Sequence, residues 1–445
     1  MFDVIVVGAG FAGLSAAVRL SAGGVRTLVL EARPVLGGRA FSYRDPATGE
    51  AVDNGQHLLA GCYHETFAFL RAIGRDSSVR RQESLEVTSI DLDGVRSTLS
   101  CPALPSPLHL AAGLLEWDAL RWSDRLSAFG MAGPLNIARK QARGRTTLQA
   151  ASPGETVRQW LGRHDQSERI CALFWEPLAL ATLNQPASVA AAPPFARVLG
   201  QMLGPDRRDS TLAWSTVPLT DLYATPARAL IEARGGEVRT GAPARVWIDS
   251  EHALSVEVRG ERLSAGAIVL AVPWHALPTT VAGRVELLGD TIDRAVRTRA
   301  SPIVTVNLWL DRPVLDLPMI GLPGRTMQWV FDKRQIENGV ATHLSLVSSG
   351  AHSIASQPGA AVVERALREL RSAIPAARDA AVRHASVVRE KRATFSLAPG
   401  MPERPATTTG AAELLLAGDW IDTGLPATIE SAVASGHRAA EQILQ

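Results

Sequence analysis

Cysteine is nearly absent from this chain: Cys62, Cys101 and Cys171 are the only three in 445 residues. An odd count with no C-x-x-C pair and no His/Cys cluster gives no basis for a disulfide framework or a zinc site, so no metal is expected. Such usage fits a reducing compartment, and a cytoplasmic location is expected. Lysine is as scarce, at positions 140, 333 and 391 only, so arginine carries the positive charge. A net charge of +2 leaves no nucleic-acid footprint. Long apolar runs are missing too. The longest uncharged stretches, Ser97 to Leu115 and Pro177 to Ala196, are each broken by prolines and do not read as spanning helices. Peripheral membrane contact stays open, including at an inner membrane. The first strand is expected to start at residue 3, which leaves no room for a signal peptide.

What is present begins at Val4. Val4 to Val7 is an apolar run of the kind a buried parallel strand needs. Gly8, Gly10 and Gly13 follow as G-x-G-x-x-G, then a helical pattern over Leu14 to Leu20, and a second strand over Thr27 to Leu30. Gly8 permits the tight turn, Gly10 removes a side chain that would block a pyrophosphate, and Gly13 lets helix pack on sheet. The free N–H groups at the helix start favour an anion. Glu31, 18 residues after Gly13, can accept hydrogen bonds from a ribose. The constellation is that of a dinucleotide site.

A second glycine pair, Gly37-Gly38, is followed by Arg39, a cation suited to phosphate. Glu31 to Ser42 reads E-A-R-x-x-x-G-G-R-x-x-S and resembles the FAD-containing amine oxidase and phytoene desaturase superfamily. The resemblance implies FAD rather than a nicotinamide, held along Glu31, Ala32, Arg33, Gly38 and Arg39. It also implies an α/β fold: a Rossmann-type FAD-binding domain with an interleaved α+β substrate domain and a helical insertion. The FAD-binding parts are expected at residues 1–75, 216–280 and 401–445, and the substrate parts at 76–215 and 281–400. A length of 445 residues accommodates two or three domains.

Between Val52 and Gly61 lies Asp53-Asn54-Gly55-Gln56-His57. It reads either as a polar loop before a helix near His64 or, by the resemblance, as the segment beside the flavin ring. The second reading puts Gly55 and Gln56 against the cofactor and makes His57 and Asp53 the candidate proton donors, by location alone. His57 reads equally as a structural histidine. Leu108 to Leu120 forms an apolar helix, read either as core or as a lipid-facing helix with Trp117 and Trp122 at an interface. Thr146 to Leu203 reads as a helical insertion, interrupted at Pro177, that walls an apolar cavity.

A run of strands from Glu237 to Val272 returns to the nucleotide domain, and the resemblance places the backbone near Val246 against the adenine. Strands at Pro302 to Leu310, Met327 to Phe331, Thr342 to Ser348 and His384 to Phe395 cover the cavity. Near the end, Leu414 to Ala417 meets Gly418-Asp419, and a long helix starts near Thr428 and Ile429. Asp419 can accept from ribityl hydroxyls, and the helix start can stabilise negative charge on reduced flavin.

This closing segment, with Asp53 to Tyr63, resembles the squalene-associated branch of the desaturase-like flavoproteins. That implies a C30 isoprenoid lipid substrate and reductive removal of its hydroxyl to give squalene. A carotenoid desaturase, an amine oxidase and a non-catalytic isoprenoid carrier are the alternatives. Arg299-Ala300-Ser301-Pro302 lacks the lysine often found there in amine oxidases, and no cysteine follows Cys171, so FAD is expected to be non-covalent. No separate nicotinamide module is evident, and the external electron donor stays unassigned.

Overall fold

The structure is a computed structural model and describes every residue except Met1, His252, Asn338 and Val340. Its centre is a five-stranded parallel sheet in the order Glu237–Arg239, Thr27–Leu30, Val4–Val7, Ala267–Leu270, Leu414–Leu416. Val4–Val7 and its two neighbours are buried throughout, which is why their sequences do not alternate. The order reverses at Val4–Val7, so the crevice at the carboxyl ends of the strands opens beside Gly8. The helix Phe11–Ala22 leaves from that end, and the helix Ile429–Leu444 packs along it. A Cβ on Gly436 would lie 2.2 Å from the Ala12 carbonyl oxygen, so only glycine permits this helix contact.

A second, seven-stranded sheet runs Val382–Phe395, Ala300–Leu310, His343–Ser349, Trp329–Asp332, Met319–Gly321, Glu86–Ile90, Arg96–Ser100. The amphipathic helix Gly359–Ala373 buries Val362, Ala366 and Leu370 against it. Leu58–Ala60, Leu212–Ser215 and Val79–Arg81 form a small sheet joining the two halves.

The helical insertion has its own core around Trp160, Trp175 and Phe195, packed edge to face. Trp160 is fully buried and its indole donates to the Ala150 carbonyl. Two expectations are corrected here. Pro177 does not interrupt the helix: a wider-wound turn, Cys171–Trp175, runs into Glu176–Leu183, and the changed hydrogen-bond spacing of that turn accommodates the missing proline N–H. The helix at Leu108 ends at Glu116, not Leu120. Its two tryptophans part company, Trp117 into the core and Trp122 to the surface at 69 % exposure.

Candidate active site

The dinucleotide cradle is built from two glycine turns that touch. A Cβ on Gly38 would stand 3.1 Å from the Gly10 Cα, and one on Gly10 would stand 3.6 Å from the Gly38 Cα. Any side chain at either position would fill the gap between them. Gly13 is as constrained, since its Cβ would lie 1.9 Å from the Gly8 oxygen. Gly10 caps the helix without a side chain, leaving its first N–H groups to a ligand. The Glu31 carboxylate accepts from Ala9 N at 2.9 Å and from Arg33 N at 3.0 Å, so it is fixed at the lip of the turn. Arg33 donates to the Gly38 carbonyl, and Ala32 lies between these two anchors. Tyr223 holds the second turn from beneath, its hydroxyl reaching the Gly37 and Ala40 carbonyls at 2.7 and 2.8 Å. These features fit a dinucleotide: a side-chain-free gap, free helix amides and a fixed acid.

The far part of the chain closes the cradle. Arg39 Nη2 contacts Asp419 Oδ1 at 2.5 Å and Arg39 Nη1 donates to the Ala393 carbonyl at 2.8 Å. Burial opposes the Arg39 charge, but the Asp419 carboxylate outweighs it and holds the guanidinium above its usual range. Gly418 N donates to Ser435 Oγ at 2.8 Å, and Thr428 caps the helix that begins at Ile429 by accepting from Ser431 N at 3.1 Å. Residues near the two ends of the chain therefore share one pocket. Val246 is buried inside a sheet, flanked by Val256 and Val281. The residues that reach the Glu31–Arg33 turn are Gly241 and Ala242, through Gly241 N to Arg33 O and Ala242 N to Glu31 O.

The segment Asp53–His57 leads from this cradle toward the substrate side. Asn54 Nδ2 donates to the Arg39 carbonyl at 2.8 Å, and Gly55 has a φ of +88°, which glycine adopts without strain. Asp53 is buried, and both its carboxylate oxygens are engaged. Its Oδ1 accepts from Ser42 Oγ at 2.6 Å and Leu219 N at 3.0 Å, and its Oδ2 pairs with Lys333 Nζ at 3.1 Å. Burial pushes its carboxyl up, but Lys333 and these donors prevail and keep it below the usual range. Burial lowers the His57 pKa, and its Nδ1 lies 2.8 Å from the Gly55 carbonyl, an acceptor only. The hydrogen is therefore on Nδ1, and Nε2 keeps its lone pair.

Lys333 and Tyr63 were not singled out by sequence reasoning. Lys333 is one of three lysines and follows the buried strand Trp329–Asp332; its rarity there was the available signal. It is 5 % exposed and also touches Glu337 and, at 3.0 Å, Gln56 Oε1. Burial raises the Glu337 carboxyl while Asp53 is held down, so the ammonium faces one firmly ionised partner. Tyr63 is bonded to the Thr428 side chain, and burial keeps its phenol protonated.

Beyond the loop opens a cavity of about 390 Å³. Leu58, Tyr63, Trp117, Phe174, Trp329 and Thr428 are among its walls. The insertion, the seven-stranded sheet, the small three-stranded sheet and the start of the Ile429–Leu444 helix all contribute. It is long-walled and mainly apolar, suited to a hydrocarbon chain.

Sheet, cradle and adjoining cavity together define a dinucleotide-binding oxidoreductase. The family model described as flavin containing amine oxidoreductase matches residues 11–444, and the chain belongs to that family. Its cofactor is FAD. The chain is 30% identical over 460 residues to a hydroxysqualene dehydroxylase of Sinorhizobium fredii, covering 99% of this chain and 98% of that one. It is 22% identical over 461 residues to a 15-cis-phytoene desaturase of Synechococcus elongatus, covering 99% and 95%. Among solved structures, cyclohexylamine oxidase of Brevibacterium oxydans shares the fold, with a TM-score of 0.73 at 16% identity and coverage of 100% and 98%.

Proposed function

We propose that this chain removes the hydroxyl of hydroxysqualene to give squalene. The observation that carries the reading is the apolar cavity, joined to the FAD cradle by the loop from Asn54 to Leu58. The near full-length similarity to a hydroxysqualene dehydroxylase supports the same substrate class. Gly8, Gly10, Gly13, Glu31, Arg33, Gly38, Arg39, Asp419 and the start of the helix at Thr428 and Ile429 would hold FAD. Reduced FAD supplies hydride. In the net reaction the substrate carbon would gain that hydride, its C–O bond would break, and the oxygen would leave as water with the proton that reduced FAD gives up alongside the hydride. The cavity walls hold the chain and exclude water from an allylic cation. Tyr63 donates a hydrogen bond to the departing oxygen, and His57 Nε2 accepts one from the substrate hydroxyl.

One observation favours a second reading. A neutral His57 with a free lone pair suits proton removal, which a desaturation needs and a dehydroxylation does not. The test is anaerobic. Reduced enzyme mixed with hydroxysqualene is expected to reoxidise with one squalene formed per flavin. A flavin that stays reduced, while oxidised enzyme is bleached by phytoene, would replace dehydroxylation with desaturation.

We also propose that the substrate enters from a lipid surface. Leu104, Leu108, Trp122, Leu126 and Phe129 are exposed on the same insertion whose Leu110, Trp117 and Leu135 line the cavity. Arg125 stacks on Trp122 at 4.9 Å, pairing a cation with an interfacial aromatic ring. Among the described residues no helix is long and apolar enough to cross a membrane. Trp122→Ser is expected to lower binding to anionic vesicles several-fold while turnover in detergent is unchanged; equal vesicle binding would remove this surface from the proposal.

A further inference from the structure

We infer that the outer strand Val382–Phe395 carries a docking surface for an acidic electron-carrier protein, centred on Lys391 and Arg392. This strand is hydrogen-bonded on one side only, to Ala300–Leu310. The pairing breaks at Pro302. Ser301 stands opposite Thr394 and Ile303 opposite Glu390, so Pro302 alone faces Lys391, Arg392 and Ala393. Proline has no N–H to give the ladder, and the extra residues bulge out of it. Lys391 and Arg392 are exposed there. The carbonyl of Ala393 instead accepts from Arg39 Nη1 at 2.8 Å, and Arg39 pairs with Asp419. One bulge thus shows two cations to solvent and ties its third residue to the cofactor cradle.

The charge of the bulge is not cancelled locally. A guanidinium only donates, so His275 Nδ1, 3.0 Å from Arg392 Nη1, is the acceptor and the ring hydrogen sits on Nε2. Burial, Arg392 and Arg39 hold the His275 pKa down, so a neutral ring fixes Arg392 in place. The one acid of the strand, Glu390, accepts from Asn54 Nδ2 at 3.3 Å and from the Arg392 backbone N at 3.2 Å. Among the described residues neither Lys391 nor the Arg392 side chain pairs with an acid. Arg383 and Arg389 add to the same strand, which holds four cations and one acid in 14 residues. The whole chain has a net charge of only +2, so positive charge is concentrated here. Such a surface steers an acidic partner and favours its docking. Lys391, Arg392 and His275 line neither described cavity, which suits the face of a protein rather than a dinucleotide. The inference rests on the FAD-dependent reduction proposed above, which consumes one reduced cofactor per turnover. Two carrier molecules each give up one electron, and with two protons from water these regenerate reduced FAD. A bulge and charges on an outer strand also guard it against pairing with another chain, but an acid at the same place would serve that purpose.

The test leaves the lipid out, so its outcome does not depend on which isoprenoid the enzyme takes. Oxidised holoenzyme is mixed anaerobically with reduced plant-type [2Fe–2S] ferredoxin, an acidic one-electron donor, and in parallel with reduced methyl viologen, a small cationic one. Flavin bleaching gives the rates, and a titration of the two oxidised proteins gives the ferredoxin dissociation constant. K391E/R392E is expected to weaken ferredoxin binding and to slow its electron transfer at least about tenfold at low ionic strength, with the difference shrinking in high salt. The viologen rate should not fall. K391Q/R392Q should lie between the parent and K391E/R392E, and it carries the test should the reversed charges release FAD. A parent whose ferredoxin rate is independent of salt would overturn the inference. So would a K391E/R392E variant with parental ferredoxin binding and rate, the result expected if the charges only guard the strand edge. Equal losses with both donors would place the effect at the flavin itself. Weaker binding to anionic vesicles with ferredoxin rates unchanged would give the surface to a membrane, and either result also overturns the docking of a carrier.

Discussion

The cofactor cradle and the substrate cavity lie on either side of one short loop, and they are built by opposite means. In the cradle nearly every contact depends on a missing side chain. Gly10 and Gly38 leave the space, Gly13 allows the helix to touch the turn, and helix amides supply the donors. In the cavity the wall is mostly side chain, and apolar residues of several types serve: Leu58, Trp117, Phe174 and Trp329 come from four distant parts of the chain. Backbone donors at a turn recognise one constant group, a pyrophosphate, with strict geometry. An apolar wall recognises area and shape, which many combinations of side chains can provide.

That contrast predicts where the molecule is brittle. The largest effect is expected at the core of the insertion. Trp160→Ala should cost about 3–5 kcal/mol, the range for deleting a fully buried aromatic ring, and it also leaves the Ala150 carbonyl without its indole donor. Thermal unfolding should show it. If flavin release and unfolding then separate into two transitions, the two halves are independently stable; a single transition would make them one cooperative unit.

Gly13→Ala comes next and strikes the cradle alone. A clash at 1.9 Å from the Gly8 oxygen cannot be relieved without moving turn or helix. Overpacking of roughly 3 kcal/mol is about a hundredfold in affinity. The protein is expected to purify colourless, as the ratio of flavin to protein absorbance would show. A yellow variant with parental FAD affinity would sink the claim that the cradle tolerates no added side chain.

Leu178→Gln tests the opposite side. A polar amide placed on the cavity wall should raise KM for the lipid roughly tenfold, consistent with about 1–3 kcal/mol for a poorly satisfied polar group. Flavin content should not change. Loss of flavin instead would show that the two regions are less separate than their construction implies.

The smallest effect is a pH slope. His343 is buried, stacked on Trp309 with ring centroids 4.2 Å apart, and burial pushes its pKa down to about 3. In the fold its ring stays neutral, whereas the unfolded chain takes up a proton below about pH 6.5. Stability should therefore fall as pH drops from about 6.5 toward 3, by about 1.4 kcal/mol per unit from this group. His343→Gln should remove that part of the slope in denaturant titrations at about pH 7 and about pH 5, either side of the unfolded value. An unchanged slope would assign it to other groups.

Much of the cradle was legible in the sequence because its rules are local. Gly8 to Gly13, Glu31 and Arg39 lie within one strand–helix–strand unit, and the spacing of glycines reports a backbone requirement directly. Gly418, Asp419 and Thr428 were legible for the same reason, a strand end followed by a capped helix. Proton chemistry was not legible there. Asp53 and His57 share one loop, but charge state depends on neighbours brought in by the fold. Lys333 stands 280 residues from Asp53 in the chain and 3.1 Å from it in space. The neighbours of Val246 were not legible, because a strand's residues all read alike until register decides which neighbours flank each one.

By itself the sequence determined the glycine-rich turn after the amino-terminal strand and the capped helix that ends the chain. Glycine permissiveness, helix capping and unbroken apolar strands are properties of neighbouring residues, and they survive without tertiary context. Only the tertiary structure decided the rest. It separated Trp117 from Trp122, joined the glycine turns to Asp419 through Arg39, paired Asp53 with Lys333 and enclosed the cavity. Each depends on residues far apart in sequence coming together around the ones named, and burial and electrostatics take their values only after such residues meet.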